Sequence, residues 1–235
     1  MKIALFGYGK MGKMLEHLGT ERGHTFPLKI DLTTDSNSLD FSDIDVAIDF
    51  STPKSAFENI KFCLEHQIPI ISGTTGWLEY YDRAVTLCLA NQGAFIYASN
   101  FSLGVNLFFE LNKKLARLMS LQKEYEVELE EIHHIHKLDA PSGTAITLAE
   151  GIIEQSDHSS WSLDNTAEGA IPIKAKREGE VPGTHSINYE SSVDSIEIIH
   201  TAKNRNGFAL GALVAAEWIQ GKKGVFTMKD VLNLE

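Results

Sequence analysis

Cysteine is scarce: Cys63 and Cys88 are the only two in 235 residues. They stand far from any Cys-x-x-Cys spacing, which excludes a disulfide scaffold, and both read as small buried hydrophobes in helices. An excess of positive charge is lacking too. Lys and Arg number 21 against 32 Asp and Glu, a formal net charge of −11. That excludes nonspecific nucleic-acid binding and docking on an anionic membrane, although a local basic pocket for a small anion stays compatible with an acidic chain. No apolar run approaches the roughly 20 residues of a membrane span. The apolar start Ile3-Ala4-Leu5-Phe6 breaks at Gly7, too soon for a leader, so a cytoplasmic protein is expected. Internal repeats, low-complexity tracts and a His-Glu-x-x-His helix are also missing. What is present is a 43% hydrophobic composition, enough for a packed core in one large domain or two small ones.

The first half alternates short apolar runs with helical patterns, as a doubly wound parallel sheet does. Lys2 to Phe6 reads as a buried strand, and Gly7-Tyr8-Gly9-Lys10-Met11-Gly12 follows it at once. In such a G-x-G-x-x-G turn the first glycine permits the tight bend, the second lets backbone approach a pyrophosphate, and the third lets helix and strand pack closely. The phosphates then lie on the free N–H groups of the helix start. Asp31, nineteen residues beyond Gly12, ends the run Phe26-Pro27-Leu28-Lys29-Ile30 and can bond the adenosine ribose, although Pro27 weakens that strand. The residues after Asp31 are Leu32-Thr33-Thr34, with no Arg or Lys to clamp a 2′-phosphate, so the pattern leans to NADH over NADPH. Further strands are expected at Asp45–Phe50, Ile68–Ile71 and Ala94–Ala98, with helices from Pro53 and over Leu78–Ala90. Ligands bind beyond the C-terminal ends of such strands, which adds Phe50 to Thr52, Gly73-Thr74-Thr75 and Ser99-Asn100-Phe101 to the nucleotide side.

After residue 102 the pattern changes. A helix over Leu103–Met119, with Leu107, Phe108, Leu111, Leu115 and Leu118 on one face, precedes strands at Tyr125–His133, Ile171–Arg177, His185–Tyr189 and Ser195–His200. These suggest a mixed or antiparallel open sheet with one face covered. Ser156 to Gly169 is polar and reads as a loop. Gly207–Gln220 reads as an apolar helix, with Phe208, Leu210, Leu213, Val214 and Trp218 as its bulk, packing back on the first domain. The expected fold is therefore α/β: a Rossmann-like doubly wound parallel sheet in residues 1–102 and 206–235, plus a second α+β domain with a mixed open sheet in 103–205.

Between a strand and a helix in that second domain lies the densest chemistry, Glu131-Ile132-His133-His134-Ile135-His136-Lys137-Leu138-Asp139-Ala140-Pro141-Ser142-Gly143-Thr144-Ala145. Three readings compete. Glu131, His133, His134 and His136 are metal-ligand types, but successive side chains on a strand point apart. Alternating acids at Glu126, Glu128 and Glu130 fit a solvated face, which accounts poorly for His133, His134 and Lys137. The third reading is an anion and acid–base site. Ser142-Gly143-Thr144 at a helix start offers N–H groups and hydroxyls to a carboxylate, His134 adds a donor, Lys137 adds charge, and His133 can give a proton near neutral pH.

This stretch closely resembles the E-x-H-H-x-x-K-x-D-x-P-S-G-T-A signature of the 4-hydroxy-tetrahydrodipicolinate (dihydrodipicolinate) reductase family of lysine and diaminopimelate biosynthesis. The resemblance extends to Asp49-Phe50-Ser51, Gly73-Thr74-Thr75-Gly76, Asn100 to Asn106, Arg177-Glu178-Gly179 and Lys229-Asp230-Val231-Leu232. It implies reduction of a cyclic imine dicarboxylate by NAD(P)H. It implies His133 as proton donor with Lys137 assisting, His134, Ser142, Gly143 and Thr144 on the substrate, and Gly7 to Gly12, Asp31, Gly73 to Thr75 and Ala98 to Phe101 on the cofactor, with no metal. It also implies a homotetramer assembled through the second domain's sheet, with closure about hinge-like segments near Ser102 and Arg205. The chain departs from the family in a glycine loop one residue shorter than G-x-x-G-R/K-M-G, in the missing basic residue after Asp31, and in trimmed loops. Two other functions fit the fold: a different nicotinamide dehydrogenase acting on an amino or keto acid, and a catalytically inactive nucleotide sensor.

Overall fold

A computed structural model describes residues 1–31, 33–34, 39–163, 167–204 and 206–234. The chain divides into two compact units, Met1–Leu103 with Asn206–Glu235, and Gly104–Arg205. Leu32 and the expected hinge residue Arg205 lie outside the described residues, as do residues 164–166 of the polar stretch.

The first unit is built on a parallel six-stranded sheet. Its strands are β1 (Lys2–Phe6), β2 (Thr25–Ile30), β3 (Val46–Asp49), β4 (Ile70–Ser72), β5 (Ala94–Tyr97) and β11 (Gly224–Phe226), ordered β11-β5-β4-β3-β1-β2. The order reverses beside β1, so the turn after Phe6 opens at the switch point of the sheet. Every residue of β3 and β4 is buried, as strands covered on both faces must be. On one face α1 (Lys10–Glu21) and α6 (Asn206–Trp218) pack Leu15, Ala209, Ala212, Leu213 and Ala216 onto Ile3, Leu5 and Ile48. On the other, α2 (Pro53–Glu65) and α3 (Tyr81–Ala90) pack Phe57, Ile60, Leu64 and Cys88 onto Phe6, Ala47, Ile70 and Phe95.

Several expectations shift in detail. Pro27 sits within β2 after all, because β2 is an edge strand and its register with β1 slips between Lys2↔Thr25 and Ala4↔Leu28. The helix expected from Leu78 begins as a 3₁₀ turn, Leu78–Tyr80, before α3. In α6 the buried residues are the small ones, Ala209, Gly211, Ala212, Ala215 and Ala216, with Leu213. Gly211 has no alternative, since a Cβ there would meet the Phe101 carbonyl oxygen at 1.7 Å. The expected bulk residues Val214 and Trp218 pack on the rim of that core.

The second unit carries a five-stranded mixed sheet, β10 (Ser195–Thr201), β9 (Thr184–Glu190), β6 (Glu126–His133), β8 (Ala170–Arg177) and β7 (Ser160–Ser162), in that order. The pairs of β6 with β8 and of β8 with β7 are parallel, and those of β6 with β9 and of β9 with β10 are antiparallel. Strand β7 lies in the polar stretch read as a loop, where a three-residue strand has too short an apolar pattern to register. One face of the sheet is covered by α4 (Leu103–Met119) and α5 (Gly143–Ile153) through Phe108, Ala116, Leu148 and Ile152 on Leu129, Ile171, Ile173 and Ile187. The buried stripe of α4 is Val105, Phe108, Asn112, Ala116 and Met119. Of the face expected there, Phe108 is buried and Leu115 half-buried against the sheet core, while Leu107 and Leu111 at 51% and Leu118 at 69% are exposed. Two apolar stripes share the helical period in this segment, and both run through Phe108. A closing helix, α7 (Met228–Leu232), packs Met228 and Val231 into the core of the first unit.

Candidate active site

In the first unit the three glycines of the turn behave differently. Gly7 has φ +93°, and a Cβ on it would meet the Phe50 carbonyl oxygen at 2.1 Å. A Cβ on Gly12 would meet the Gly7 carbonyl oxygen at 2.4 Å. A Cβ on Gly9 would meet nothing within 4 Å. Thus Gly7 makes the bend, Gly12 lets α1 close on it, and Gly9 leaves room above the helix start. The first turn of α1 holds no acid and no capping side chain, so its N–H groups suit an anion. Beside it lies a cleft of about 470 Å³ lined by Gly7, Tyr8, Gly9, Asp31, Ser51 and Asn59 among others. Lys10 is exposed and Met11 packs on the core rim; neither lines the cleft. Asp31 is exposed, and its Oδ1 accepts from Thr33 N (2.9 Å), Thr33 Oγ1 (2.7 Å) and Thr34 Oγ1 (3.1 Å). The Thr33 and Thr34 bonds hold its carboxyl below the usual value.

Asp49, fully buried at the end of β3, ties the neighbouring loops together. Its Oδ1 accepts from Ser51 Oγ (2.6 Å) and Asn59 Nδ2 (2.9 Å), and its Oδ2 from Thr74 Oγ1 (2.7 Å) and Ser72 Oγ (2.9 Å). Burial pushes its carboxyl up, against the pull of those four donors. Gly73 and Thr74 therefore reach the cleft indirectly. Gly73 lies under the Phe50 ring, where a Cβ would fall 2.3 Å from it, and Thr74 Oγ1 accepts from Ser51 N (2.9 Å). Phe101 is buried with its ring 6.0 Å from that of Phe50. Thr75, Ala98, Ser99 and Asn100 follow the ends of β4 and β5 without lining the cleft.

In the second unit the register of β6 decides the site. Glu131 pairs with His185 of β9, and His133 pairs with Arg177 of β8. Glu131 is fully buried. Its Oε2 accepts the Ser142 N–H (2.9 Å) and its Oε1 the Arg177 guanidinium (3.1 Å). Burial works against its charge, but Ser142, His133 and Arg177 outweigh it and hold the carboxyl low. His133, 8% exposed, lies with Nδ1 3.7 Å from Glu131 Oε2. Burial lowers its pKa; Glu131 opposes this, while Lys137, Arg177 and His134 add to it. His185 is held down to about 4 by burial and by His133, so it is neutral at physiological pH.

Ser142 caps α5, its Oγ accepting the Ala145 N–H (3.2 Å) and meeting His185 Nε2 (3.1 Å). It is buried and its polar atoms are engaged inside the protein. Gly143 and Thr144 follow it in the first turn, where amides have no intrahelical acceptor, and Gly143 is open. His134 Nδ1 is buried without a hydrogen-bond partner among the described residues. Lys137 Nζ bonds both oxygens of Asp139 (2.8 and 2.7 Å), and Arg177 braces that turn at the carbonyls of Lys137 (3.4 Å) and Asp139 (2.6 Å). His136 pairs with Glu180 in solvent (3.3 Å).

Sequence reasoning missed Asp49, His185 and Arg177 as parts of these sites. A signal for His185 exists, since His185, Ile187 and Tyr189 form the buried alternation of β9 and a histidine holds an inward position. The metal reading also changes. Ligand-type atoms of Glu131, His133 and His185 lie within 4.8 Å of one another, a set not confined to the loop. The Arg177 guanidinium already sits on Glu131, and Lys137 and Arg177 act on His133, a cationic setting that disfavours a divalent ion.

Comparison with known proteins bears on the whole chain. The family models "Dihydrodipicolinate reductase, N-terminus" and "Dihydrodipicolinate reductase, C-terminus" match residues 16–101 and 104–232. The first match begins beyond the glycine turn. A 4-hydroxy-tetrahydrodipicolinate reductase of Christiangramia forsetii is 58% identical over 234 residues, covering 99% of this chain and 98% of the relative. That of Neisseria meningitidis serogroup C is 32% identical over 269 aligned positions, covering 100% and 98%. A dipicolinate-bound dihydrodipicolinate reductase from Paenisporosarcina sp. TG-14 superposes with a TM-score of 0.78 at 25% identity, over 100% of this chain and 99% of that one.

Proposed function

This chain belongs to the dihydrodipicolinate reductase family, and we propose from that premise how its residues carry out the reaction. The chain is an NAD(P)H-dependent oxidoreductase of lysine and diaminopimelate biosynthesis. It converts 4-hydroxy-tetrahydrodipicolinate, or the dihydrodipicolinate formed by its dehydration, to tetrahydrodipicolinate. A bound nicotinamide nucleotide supplies the hydride. The protein supplies one proton, and the hydroxylated substrate also loses one water.

The open Gly9, the uncapped start of α1 and the Asp31 carboxylate would hold the nucleotide. In the second unit the amides of Gly143 and Thr144, with His134, take the substrate carboxylates. The observation that carries this reading is His134 Nδ1, a buried polar atom with no hydrogen-bond partner among the described residues, which a substrate carboxylate would supply. Lys137 leaves Asp139 for the substrate, and His133 gives the proton. Ser142 contributes by fixing the helix start.

A coupled assay with the preceding synthase is expected to show substrate-dependent oxidation of the reduced nucleotide; none with either cofactor would refute the assignment. His133→Gln is expected to lower kcat by roughly 10²–10⁴ with nucleotide affinity unchanged, the usual share of a general acid. Lys137→Ala is expected to cost comparably, and wild-type turnover in both would show the roles to be wrong.

Three finer points belong to the same proposal. NADH is preferred, because Asp31 offers a ribose acceptor and would repel a 2′-phosphate; a hundredfold lower KM for NADPH would overturn this. The enzyme acts in the cytoplasm, in keeping with the absence, among the described residues, of a helix long and apolar enough to cross a membrane. It assembles as a homotetramer through the uncovered sheet face, where Lys174–Glu128 and Lys176–Glu130 pairs lie and Ile199 is 56% exposed. Light scattering at the monomer mass would exclude that assembly.

A further inference from the structure

Glu131 opens the loop signature, yet proton donation and carboxylate capture leave it without a part. A buried carboxylate with no function is expensive, and this one is fully enclosed. Its neighbours are informative. One oxygen holds the Ser142 N–H at the start of α5, and the other holds Arg177. On the His133 side, Nδ1 lies 3.7 Å from Oε2, buried and without a hydrogen-bond partner among the described residues. The opposite nitrogen, Nε2, lies where a Cβ on Gly183 would come within 3.1 Å. Gly183 has φ +155°, at the margin of the region that favours glycine, and its missing side chain leaves Nε2 uncovered.

We propose that Glu131 is the positioning residue for proton delivery: its carboxylate takes the Nδ1–H of His133, so that Nε2, cleared by Gly183, is the atom that gives the proton up. The inference rests on His133 being the proton donor. The separation is 3.7 Å, and catalytic hydrogen bonds that are long in a ligand-free structure commonly tighten in the substrate complex. In the step itself the Nε2–H bond breaks as hydride and proton add to the conjugated substrate. The imidazole is left neutral with its remaining proton on Nδ1, against Glu131, and solvent restores the other.

The surroundings agree with this division. The ring of His185 stands edge-on to that of His133, with centroids 5.1 Å apart at 74°. Its own Nε2 meets Ser142 Oγ at 3.1 Å and lies 3.8 Å from Glu131 Oε2, so both imidazoles flank the carboxylate, but the His185 nitrogen already has a hydrogen-bond partner and His133 Nδ1 has none among the described residues. The charged and titratable groups around His133 are Glu131 on β6, His134 and Lys137 on the following loop, Arg177 on β8 and His185 on β9, with His200 of β10 acting on His185. Glu131 favours the imidazolium, which burial, Lys137, Arg177 and His134 oppose. Because Glu131 also holds Ser142, one carboxylate sets both the proton donor and the start of the carboxylate-binding helix.

The wild-type enzyme provides the first test. Two-bond ¹H–¹⁵N correlation of the His133 ring, assigned by its loss in His133→Gln, is expected to show the Nδ1–H tautomer in the neutral form; an Nε2–H tautomer would overturn the proposal. The second test is kinetic, on full-length Glu131→Gln with NADH and substrate. We expect kcat to fall about tenfold to a hundredfold, the effect that orienting partners of histidines have elsewhere, with the KM for substrate changed less than about threefold. The loss of kcat with rising pH is expected to move about one unit lower, because the anion that stabilised the imidazolium is gone. Glu131→Asp is expected to restore the position of that limb. A purely structural role would lower the yield of folded enzyme and leave the limb in place, which would also overturn the proposal. An active His133→Gln would instead sink the proton-donor reading, whichever tautomer is seen.

Discussion

Asp49 lends itself to a quantitative test because its whole environment lies in one unit. Asp49→Ala removes the acceptor for four donors. Ser51 and Asn59 are half-buried and can turn to water; Ser72 and Thr74 are buried and cannot. Each stranded buried donor costs about 1–3 kcal/mol, so the loss is about 2–6 kcal/mol before relief. Relief comes from no longer burying a carboxylate that its setting already pushes towards neutrality, which brings the net to about 2–4 kcal/mol. For a chain of this size that lowers Tm by roughly 5–15 °C, at about 2–4 °C per kcal/mol. Asp49→Asn keeps one carbonyl oxygen for two donors and turns an amide on hydroxyls that can accept, so about 1 kcal/mol is expected. The same contacts hold Ser51 at the cleft proposed for the nucleotide, through the Ser51 N to Thr74 Oγ1 bond (2.9 Å). The nucleotide Kd should therefore rise about tenfold in the alanine variant, about 1.4 kcal/mol. Calorimetry and titration of NADH fluorescence check both. An alanine variant that melts within about 2 °C of wild type, or an asparagine variant equally damaged, would refute the reasoning.

Two further outcomes are expected. Gly9→Ala should fold as wild type, since its Cβ meets nothing within 4 Å, yet raise the KM for nucleotide about tenfold; Gly12→Ala, whose Cβ meets the Gly7 carbonyl oxygen at 2.4 Å, should lose about 1–3 kcal/mol of stability, and melting curves with nucleotide kinetics distinguish the two. His185 is protonated near its ordinary value of about 6.5 in the unfolded chain and only near about 4 in the native state. Between those values the unfolded state binds more protons, so stability rises with pH; it is fully present above about 6.5 and lost as pH falls towards about 4, by about 3 kcal/mol at most. Urea midpoints at pH 5 and 7.5 should therefore differ less in His185→Gln than in wild type, and equal differences would sink the assignment.

The parallel half of the fold is legible because its cause is local. Ile3 to Phe6, Val46 to Asp49 and Ile70 to Ser72 are buried on both faces, and strands of that kind announce themselves as unbroken runs. The glycine turn is legible for the same reason: each glycine has one steric job, and the jobs follow from spacing alone. What escapes is whatever depends on choice between neighbours. In α4 two stripes of leucine, phenylalanine and methionine fit one period, and nothing in the period says which meets the sheet. In β7 three residues carry too little pattern to rise above a polar segment.

The site divides along the same line. His133, His134, Lys137 and the Ser142-Gly143-Thr144 start of α5 stand within twelve residues, so their chemistry can be read together. Their partners come from elsewhere, and strand register alone delivers them: Arg177 lies opposite His133 and His185 opposite Glu131. A shift of one residue would turn both to the other face, because side chains alternate along a strand. Register also changes what Ser142 is. In sequence it is the first residue of a carboxylate-binding turn; in the fold its N–H belongs to Glu131 and its hydroxyl to Ala145 and His185. Ser142→Ala should therefore behave as a lost helix cap, with about 1 kcal/mol of stability removed and kcat falling along with the fixed start of α5. Were Ser142 instead a direct ligand, the KM for substrate would rise at constant stability. Melting temperature and KM measured on the same preparation separate the two.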